Sequence, residues 1–497
     1  MTIIAVQDIM SPAQLVLGAL VLVVVGTWVF RAIRTAYLSP LSKIPGPWYA
    51  PLTHLRLKAA VLSGRRLHYI HSMHRRYGPV VRIAPTEISV SDLAAVKRIH
   101  AINSGFTKSL WYEELTQFPR LGLFAEHDVK LHAARRRLFA RPFSKSYLRQ
   151  QWEGLVREKA ALAVGRILSE VERQGVADVL KWWTFLATDV AATLMFGEGF
   201  GMLEKGEKTE YIRVLESTMM GSGIGVELPW VRTILRRVPI PALQELFNAN
   251  HKLLSYGTQA VTNARSSKSN VFTGPIAEAD RGLDIFTDED VRIEAAALIV
   301  AGSDTTGITL TYLTWAVLQR PDLRRQLEEE VARLPPDFDD AQLEALPLLN
   351  ATIDETLRLY GAAPGTLPRM PPKGGVEIAG YSVPDGTTVG TQSYTLHRDP
   401  EVFQDPESFD PFRWLRPADS PEQAEMIKTA FSPFGAGSRT CIGLHLARME
   451  LRITAAIFLR QCKGRLGLAT STTPESMEFE NYFLIAPKAH KCEVVFV

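Results

Sequence analysis

The sequence predicts a mainly α-helical protein with small β-sheets, formed as a single large helical domain behind an N-terminal transmembrane helix. Three observations lead there. An almost unbroken apolar run fills residues 15–30. Beyond it, long stretches carry apolar residues at helical spacing, whereas strand-like runs are short. No repeat, low-complexity tract or second long polar linker divides the remainder, although 497 residues would by length alone admit two or three domains.

The apolar run comes first. As a helix its 16 residues cover roughly 24 Å, close to a thin hydrocarbon core. Residues 1–14 hold no positive charge, only Asp8, so a cleaved signal peptide fits poorly. A buried core helix is the other alternative. Arg31, Arg34 and Lys43 follow the run, which puts the main body on the cytosolic side. We assign residues 1–34 to a membrane anchor, 35–50 to a Pro-rich linker containing "KIPGPW", and 51–497 to the main domain.

Strand signals appear at residues 79–91, 376–390 and the C-terminal "CEVVFV". Residues 147–175 read as one helix ending in charge and then glycine. Residues 263–282 are the most polar gap and read as a surface loop ahead of a long helix. That helix starts at Thr287 with Asp290 three residues on, a capping-box pair, and runs to about Leu318. In its middle stand Gly302, Ser303, Asp304, Thr305 and Thr306, poor interior helix formers that predict a widening or kink. The plainer alternative is that Thr305 bonds back to the carbonyl four residues earlier.

Composition excludes other classes. The three cysteines, Cys441, Cys462 and Cys492, are too few and scattered for a disulfide framework, which points to a reducing compartment. The net charge of +3 is spread without a dense Lys/Arg block, so nucleic acid is not an expected partner.

Two further motifs carry chemistry. "ATIDETLRLYG" sets Glu355 and Arg358 three apart on one helical face. Exposed, the pair means little; buried, it needs further partners, and Arg413 in "SFDPFRWL" can supply one. "SPFGAGSRTCIG" rings Cys441 with glycines and is followed by a helix-like segment, so the thiol sits near a helix N-terminus that favours a negative sulfur. The alternative for Cys441 is a buried structural thiol.

Taken together these motifs resemble the cytochrome P450 family. Phe434-x-x-Gly437-x-Arg439-x-Cys441-x-Gly443 is similar to its haem-binding loop, Ala301-Gly302-x-Asp304-Thr305-Thr306 to its oxygen-binding helix, and Glu355-x-x-Arg358 to its ion pair. Phe412 departs from the family, where many members carry glutamate. The resemblance spans essentially the whole chain and is strongest to fungal membrane-anchored members of secondary metabolism.

The resemblance implies a cytochrome P450 fold whose 51–497 segment is a haem-thiolate catalytic domain. Haem b would take its axial thiolate from Cys441, beside which Gly435, Gly437 and Gly443 let the backbone approach the ring. Arg439, His132, Arg136 and Arg369 map onto the family's propionate partners. Arg135, Arg137 and Arg141 read as solvated or reductase-facing surface. Thr305 would hold the water that supplies protons for oxygen activation, with Asp304 relaying from outside or serving structure alone. Cys462 and Cys492 are expected to be inert.

The implied reaction is a monooxygenation using O2 and NADPH-derived electrons from NADPH–cytochrome P450 reductase or cytochrome b5, at the endoplasmic reticulum membrane, single-pass, with the catalytic domain cytosolic. Trp111, Leu123, Phe124, Leu367 and Phe483 are the candidate pocket residues and point to a lipophilic substrate. Two alternatives are an electron-independent haem-thiolate isomerase or dehydratase and a non-catalytic haem-binding membrane protein. Against both, the sequence keeps the acid–threonine pair.

Overall fold

The computed structural model describes residues 12–235, 237–266, 269–281 and 286–497. Helix α1, Pro12–Ile33, is predominantly apolar, with Arg31 in its last turn. Residues Val16–Leu38 are a candidate membrane span: an 18-residue window within them has a mean hydropathy of 2.3 and none of that window is buried against the body. Residues 1–11 of the expected anchor lie outside the described residues.

The segment expected as a linker is docked onto the body. Ala36, Leu41, Ile44 and Ala50 are buried. The fully buried Arg82 donates to the carbonyls of Thr35 at 2.9 Å, Ala36 at 3.1 Å and Pro85 at 2.7 Å. A guanidinium whose two terminal nitrogens meet backbone carbonyls ties the segment after α1 to the first strand.

That strand, β1 (Val80–Ala84), pairs antiparallel with β2 (Glu87–Val90). The other strands are β3 Thr107–Lys108, β4 Ala177–Asp178, β5 Thr366–Met370, β6 Val376–Ile378, β7 Tyr381–Val383, β8 Thr388–Gln392, β9 Leu466–Leu468, β10 Phe479–Asn481, β11 Ile485–Pro487 and β12 Glu493–Phe496. One sheet has the order β1-β2-β8-β5-β3, with β2 parallel to β8 so that Ile88 faces Val389. The sheet β4-β12-β9 and the hairpins β6-β7 and β10-β11 are smaller. All three expected strand regions form strands.

The helices that matter for the site are α2 (Leu55–Leu62), α3 (Arg66–Tyr77), α4 (Leu93–His100), α5 (Trp111–Thr116), α6 (Val129–Phe139), α7 (Glu153–Gln174), α8 (Val179–Phe196), α9 (Glu210–Glu227), α10 (Pro241–Arg265), α11 (Asp288–Leu318), α12 (Pro347–Tyr360) and α13 (Leu444–Gln461). The single helix expected over 147–175 is divided at Trp152, and α7 then ends on Gly175 with a left-handed φ of 76°. Within the expected loop 263–282, Thr273–Ala279 is a short helix whose Ile276 is buried. Its apolar residues find the core, which the surrounding polar residues disguise.

Helix α11 is the axle of the body. Its capping box is formed in both directions, with Asp290 N donating to Thr287 Oγ1 and Thr287 N to Asp290 Oδ2. From Thr306 to Val317 every residue is buried. At Gly307 a Cβ would stand 3.0 Å from the backbone of Thr184, so glycine lets α8 and α11 touch. The expected break at 302–306 is absent: helical structure runs through it unbroken. Ser303, Thr305 and Thr309 instead turn their hydroxyls back to the carbonyls of Ile299, Ala301 and Thr305. This satisfies the polar side chains without opening the helix.

Candidate active site

A cavity of about 420 Å³ lies along α11, walled by α5, α6, α9, the start of β5, the β10–β11 turn and the loop before α13. Thr305, Cys441, Arg439, His132, Arg136, Arg369 and Phe434 all line it. So do the five apolar candidates Trp111, Leu123, Phe124, Leu367 and Phe483. Asp304 does not: it is half-buried one residue from Thr305, off this wall.

The cysteine loop is fixed from two sides. Cys441 N donates to Phe434 O at 2.8 Å, closing the loop on itself. Gly437 has φ +67°, and a Cβ there would come within 1.8 Å of His100 O at the end of α4. Only glycine fits that contact. Gly435, at φ +72°, also needs its freedom. Gly443 does not: its φ is −80° and a Cβ would make an ordinary 3.8 Å contact with Cys441 Sγ. What Gly443 contributes is its amide, which donates to the Cys441 sulfur.

Cys441 precedes the first residue of α13 by three, with Gly443 as the cap. Its thiol faces the cavity, accessible by surface yet walled in by protein. Burial pushes its pKa above the usual thiol value, outweighing the Gly443 amide and the Arg136 charge. A cation in front of the sulfur would favour the thiolate. Cys462 and Cys492 are buried in the core, and burial pushes the Cys462 thiol up to about 12 and Cys492 higher still.

Around one part of the cavity the cations crowd together. His132 and Arg136 share a face of α6 and Arg369 sits on β5. Lys108, on the two-residue β3, joins them. Their hydrogen bonds go to neutral oxygens: Lys108 Nζ to Phe124 O, Arg369 Nη1 to Tyr112 Oη at 3.2 Å and Pro368 O at 3.0 Å, and Arg439 Nη1 to Glu126 O at 2.7 Å. Arg439 Nη2 is buried with no partner.

Burial first, and then mutual repulsion, lowers these groups: Arg439 to about 10, His132 to about 3, and Lys108 well below its usual value. A cationic cluster this poor in carboxylates is held at a cost unless an anion enters. This donor set fits a group that carries two carboxylates, such as a haem, which Cys441 and these basic side chains would hold.

Arg135 corrects the sequence expectation. It is buried, not surface: Nη2 meets Asp290 Oδ1 at 2.8 Å and Nη1 donates to Leu121 O. His132, Arg135 and Phe139 form the inner face of α6, whereas Arg137 and Arg141 are exposed as expected.

The Glu355–Arg358 pair is fully buried and is tied to the loop. Arg358 donates to both carboxylate oxygens of Glu355 and to the carbonyls of His397, Pro406 and Ser408. Glu355 also accepts from Arg413 Nε at 3.1 Å, as the sequence suggests, and from Trp414 Nε1 at 2.9 Å. Burial, chiefly, holds His397 near pKa 3 and hence neutral. It donates from Nδ1 to Arg358 O at 2.8 Å and accepts Ser432 N at Nε2 at 3.0 Å. Ser432 opens the cysteine loop, so the ion pair braces that loop through one imidazole.

Sequence reasoning missed Lys108, His397 and three cavity carboxyls, one of which is Glu227. Glu450 on α13 accepts from Thr306 Oγ1 at 3.2 Å, and burial pushes it up to about 8. Glu294 on α11 accepts from Leu123 N, and burial pushes it up to about 7. Lone carboxylates in apolar helical faces were the available signal.

The chain matches the cytochrome P450 family over residues 43–494. It is 43% identical over 489 residues to the cytochrome P450 monooxygenase stcB of Emericella nidulans, covering 94% of this chain and 91% of that protein. It is 41% identical over 490 residues to the monooxygenase aflV of Aspergillus parasiticus, covering 95% of each. A methylphloroacetophenone oxidase of Cladonia uncialis is 33% identical over 396 residues, covering 76% of this chain and 86% of that one. With the buried ion pair and the glycine-fixed cysteine loop, these matches lead to one conclusion: the chain belongs to the cytochrome P450 family and is one of its monooxygenases.

Proposed function

We propose that this protein oxidises a lipophilic phenolic small molecule in fungal natural-product biosynthesis, using O2 and electrons that NADPH–cytochrome P450 reductase draws from NADPH and delivers directly or through cytochrome b5. The observation that carries this reading is the meeting of Cys441 and five basic side chains in one otherwise apolar cavity, with Arg439 Nη2 buried and unpartnered. Phenolic chemistry is suggested by the name of the Cladonia oxidase.

In this reading Cys441 would hold the iron of haem b, and Arg439, Arg369, Arg136, His132 and Lys108 would hold its propionates. Phe434 and Gly437 hold the loop in shape. A thiolate-ligated haem, when bound, supplies O2 activation and transfer of one oxygen atom to the substrate. The chain's own work is to exclude bulk water and move protons. Thr305 Oγ1 donates to Ala301 O at 2.7 Å, which leaves its lone pairs to accept from a water in the cavity. Asp304, one residue away and outside that wall, passes protons inward. Helix α1 holds the protein in the endoplasmic reticulum membrane as a single span, with residues 51–497 as the cytosolic catalytic domain and 35–50 joining the two.

Reduced protein under carbon monoxide tests the ligand. The wild type and the Cys462→Ser and Cys492→Ser variants are expected to give the red-shifted band of thiolate-ligated haem. Cys441→Ser is expected to lose both the band and activity; an active Cys441→Ser enzyme would sink the assignment.

A further inference from the structure

One part of the cavity wall is polar without belonging to the cationic cluster. Arg66 opens α3, Trp111 opens α5 and Glu227 closes α9, and all three line the cavity. Arg66 Nη1 lies 3.7 Å from Glu227 Oε1, too far for a hydrogen bond. Arg66 Nε is buried with no hydrogen-bond partner, and Trp111 Nε1, also buried, is aimed at the Glu227 carboxylate without closing a hydrogen bond of good geometry. Lys58 Nζ donates to Glu227 O, which pins the end of α9 and holds the carboxylate in place.

We propose that Arg66, Trp111 and Glu227 form a notch that binds a phenolic hydroxyl of the substrate. Two unused donors and one acceptor ask for a group that both accepts and donates. A hydroxyl does so: its oxygen accepts from Arg66 Nε–H and Trp111 Nε1–H, and its hydrogen goes to Glu227. Each buried donor left unpaired costs about 1–3 kcal/mol, so filling the notch gives specificity as well as affinity. A carboxylate ligand would meet the charge of Glu227, and a methyl ether has no hydrogen to give.

The neighbouring wall favours an aromatic carrier. The Trp111 and Phe483 rings are 6.1 Å apart, and Phe124 meets Phe483 edge-on at 6.0 Å.

The inference rests on the phenolic reading above and adds the residues that recognise the phenol. Its test is calorimetric binding to the full-length, haem-loaded protein in detergent. The probes are methylphloroacetophenone and its fully O-methylated ether. Wild type is expected to bind the phenol about tenfold or more tightly than the ether. Arg66→Met is expected to weaken phenol binding about tenfold or more, and Trp111→Phe and Glu227→Gln about threefold to tenfold, with the ether unchanged within about twofold.

Trp111→Phe removes the N–H and keeps an aromatic ring against Phe483, so it decides the matter even where Arg66→Met folds poorly. Equal losses for both probes, no loss for the phenol, or a wild type indifferent to O-methylation would each overturn the notch. A normal carbon monoxide band beside any of these outcomes leaves the haem-thiolate reading standing. A missing band with a surviving phenol preference would reject that reading and keep the notch.

Discussion

Replacing Glu355 by glutamine is the sharpest test of how the body holds the cysteine loop. The carboxylate is fully buried and accepts from Arg358 Nε and Nη2, Asp410 N, Arg413 Nε and Trp414 Nε1. Glutamine has nearly the same volume, so no cavity forms. Its amide N–H2 must nevertheless face one of two sets of donors, and Arg358 loses its countercharge in the core. Removing one partner of a buried pair costs about 3–5 kcal/mol. That is a large share of the ~5–15 kcal/mol by which domains are stable. With about 2.1 cal/mol/K of unfolding entropy per residue, a body this long loses roughly 1 °C per kcal/mol, giving a fall of about 3–5 °C in Tm. Thermal unfolding of the haem-loaded variant, with haem content per protein, is the assay. The Glu355→Met/Arg358→Met double variant removes this pair's charges and is expected to regain only part of the loss, because Asp410 N, Arg413 Nε and Trp414 Nε1 lose their acceptor. A Glu355→Gln protein within about 0.5 kcal/mol of wild type, with normal haem content, would refute the reasoning.

Thr305→Ala is expected to keep haem, substrate binding and NADPH consumption while product per NADPH falls severalfold and peroxide rises; full coupling would make the hydroxyl merely structural. Thr306→Ala, about 100° around the helix, is expected to affect coupling less. Glu450 gives a pH signature: the folded protein keeps its proton up to about pH 8, whereas the unfolded chain releases it near 4.5. Its contribution to stability therefore falls as pH rises through that window, by about 1.4 kcal/mol per unit, and levels off above it. Glu450→Gln is expected to reduce that slope in denaturant titrations, and an identical slope would show the carboxyl to be already ionised. Deleting residues 1–33 leaves Thr35 and Ala36 for Arg82, so haem loading is expected to persist while the protein leaves the membrane fraction on mild extraction. Loss of haem from that deletion would mean that α1 belongs to the core.

Motifs whose function is local were legible in the sequence. The capping box at Thr287, the Glu355–Arg358 spacing and the glycines before Cys441 each state their constraint within a few residues. Arg135 was misread because attention to the His132–Arg136 pair hid the third member of the same helical face, three residues from His132. Lys108 and His397 were invisible for another reason. Their roles depend on partners brought together by the sheet and the loop, as with His397 and Ser432, and no short pattern records that. The helix break at 302–306 failed because threonine hydroxyls can spend their hydrogen bonds inside the turn as readily as disrupt it.

The grip of Arg82 on the carbonyls of Thr35 and Ala36 has a mechanical meaning. A body on a slack leash samples many attitudes toward the bilayer, but here the leash is bolted to a β-strand at the point where the proposed span ends. Were α1 to span a bilayer, tilt would be set by the stiffness of one helix turn, and the lipid surface would become part of the enzyme's coordinate frame. Exchanging α1 for an unrelated anchor with a flexible stem would preserve the address and lose the heading. Encounter with a membrane-bound electron donor would become a search over orientations instead of a glide in one plane.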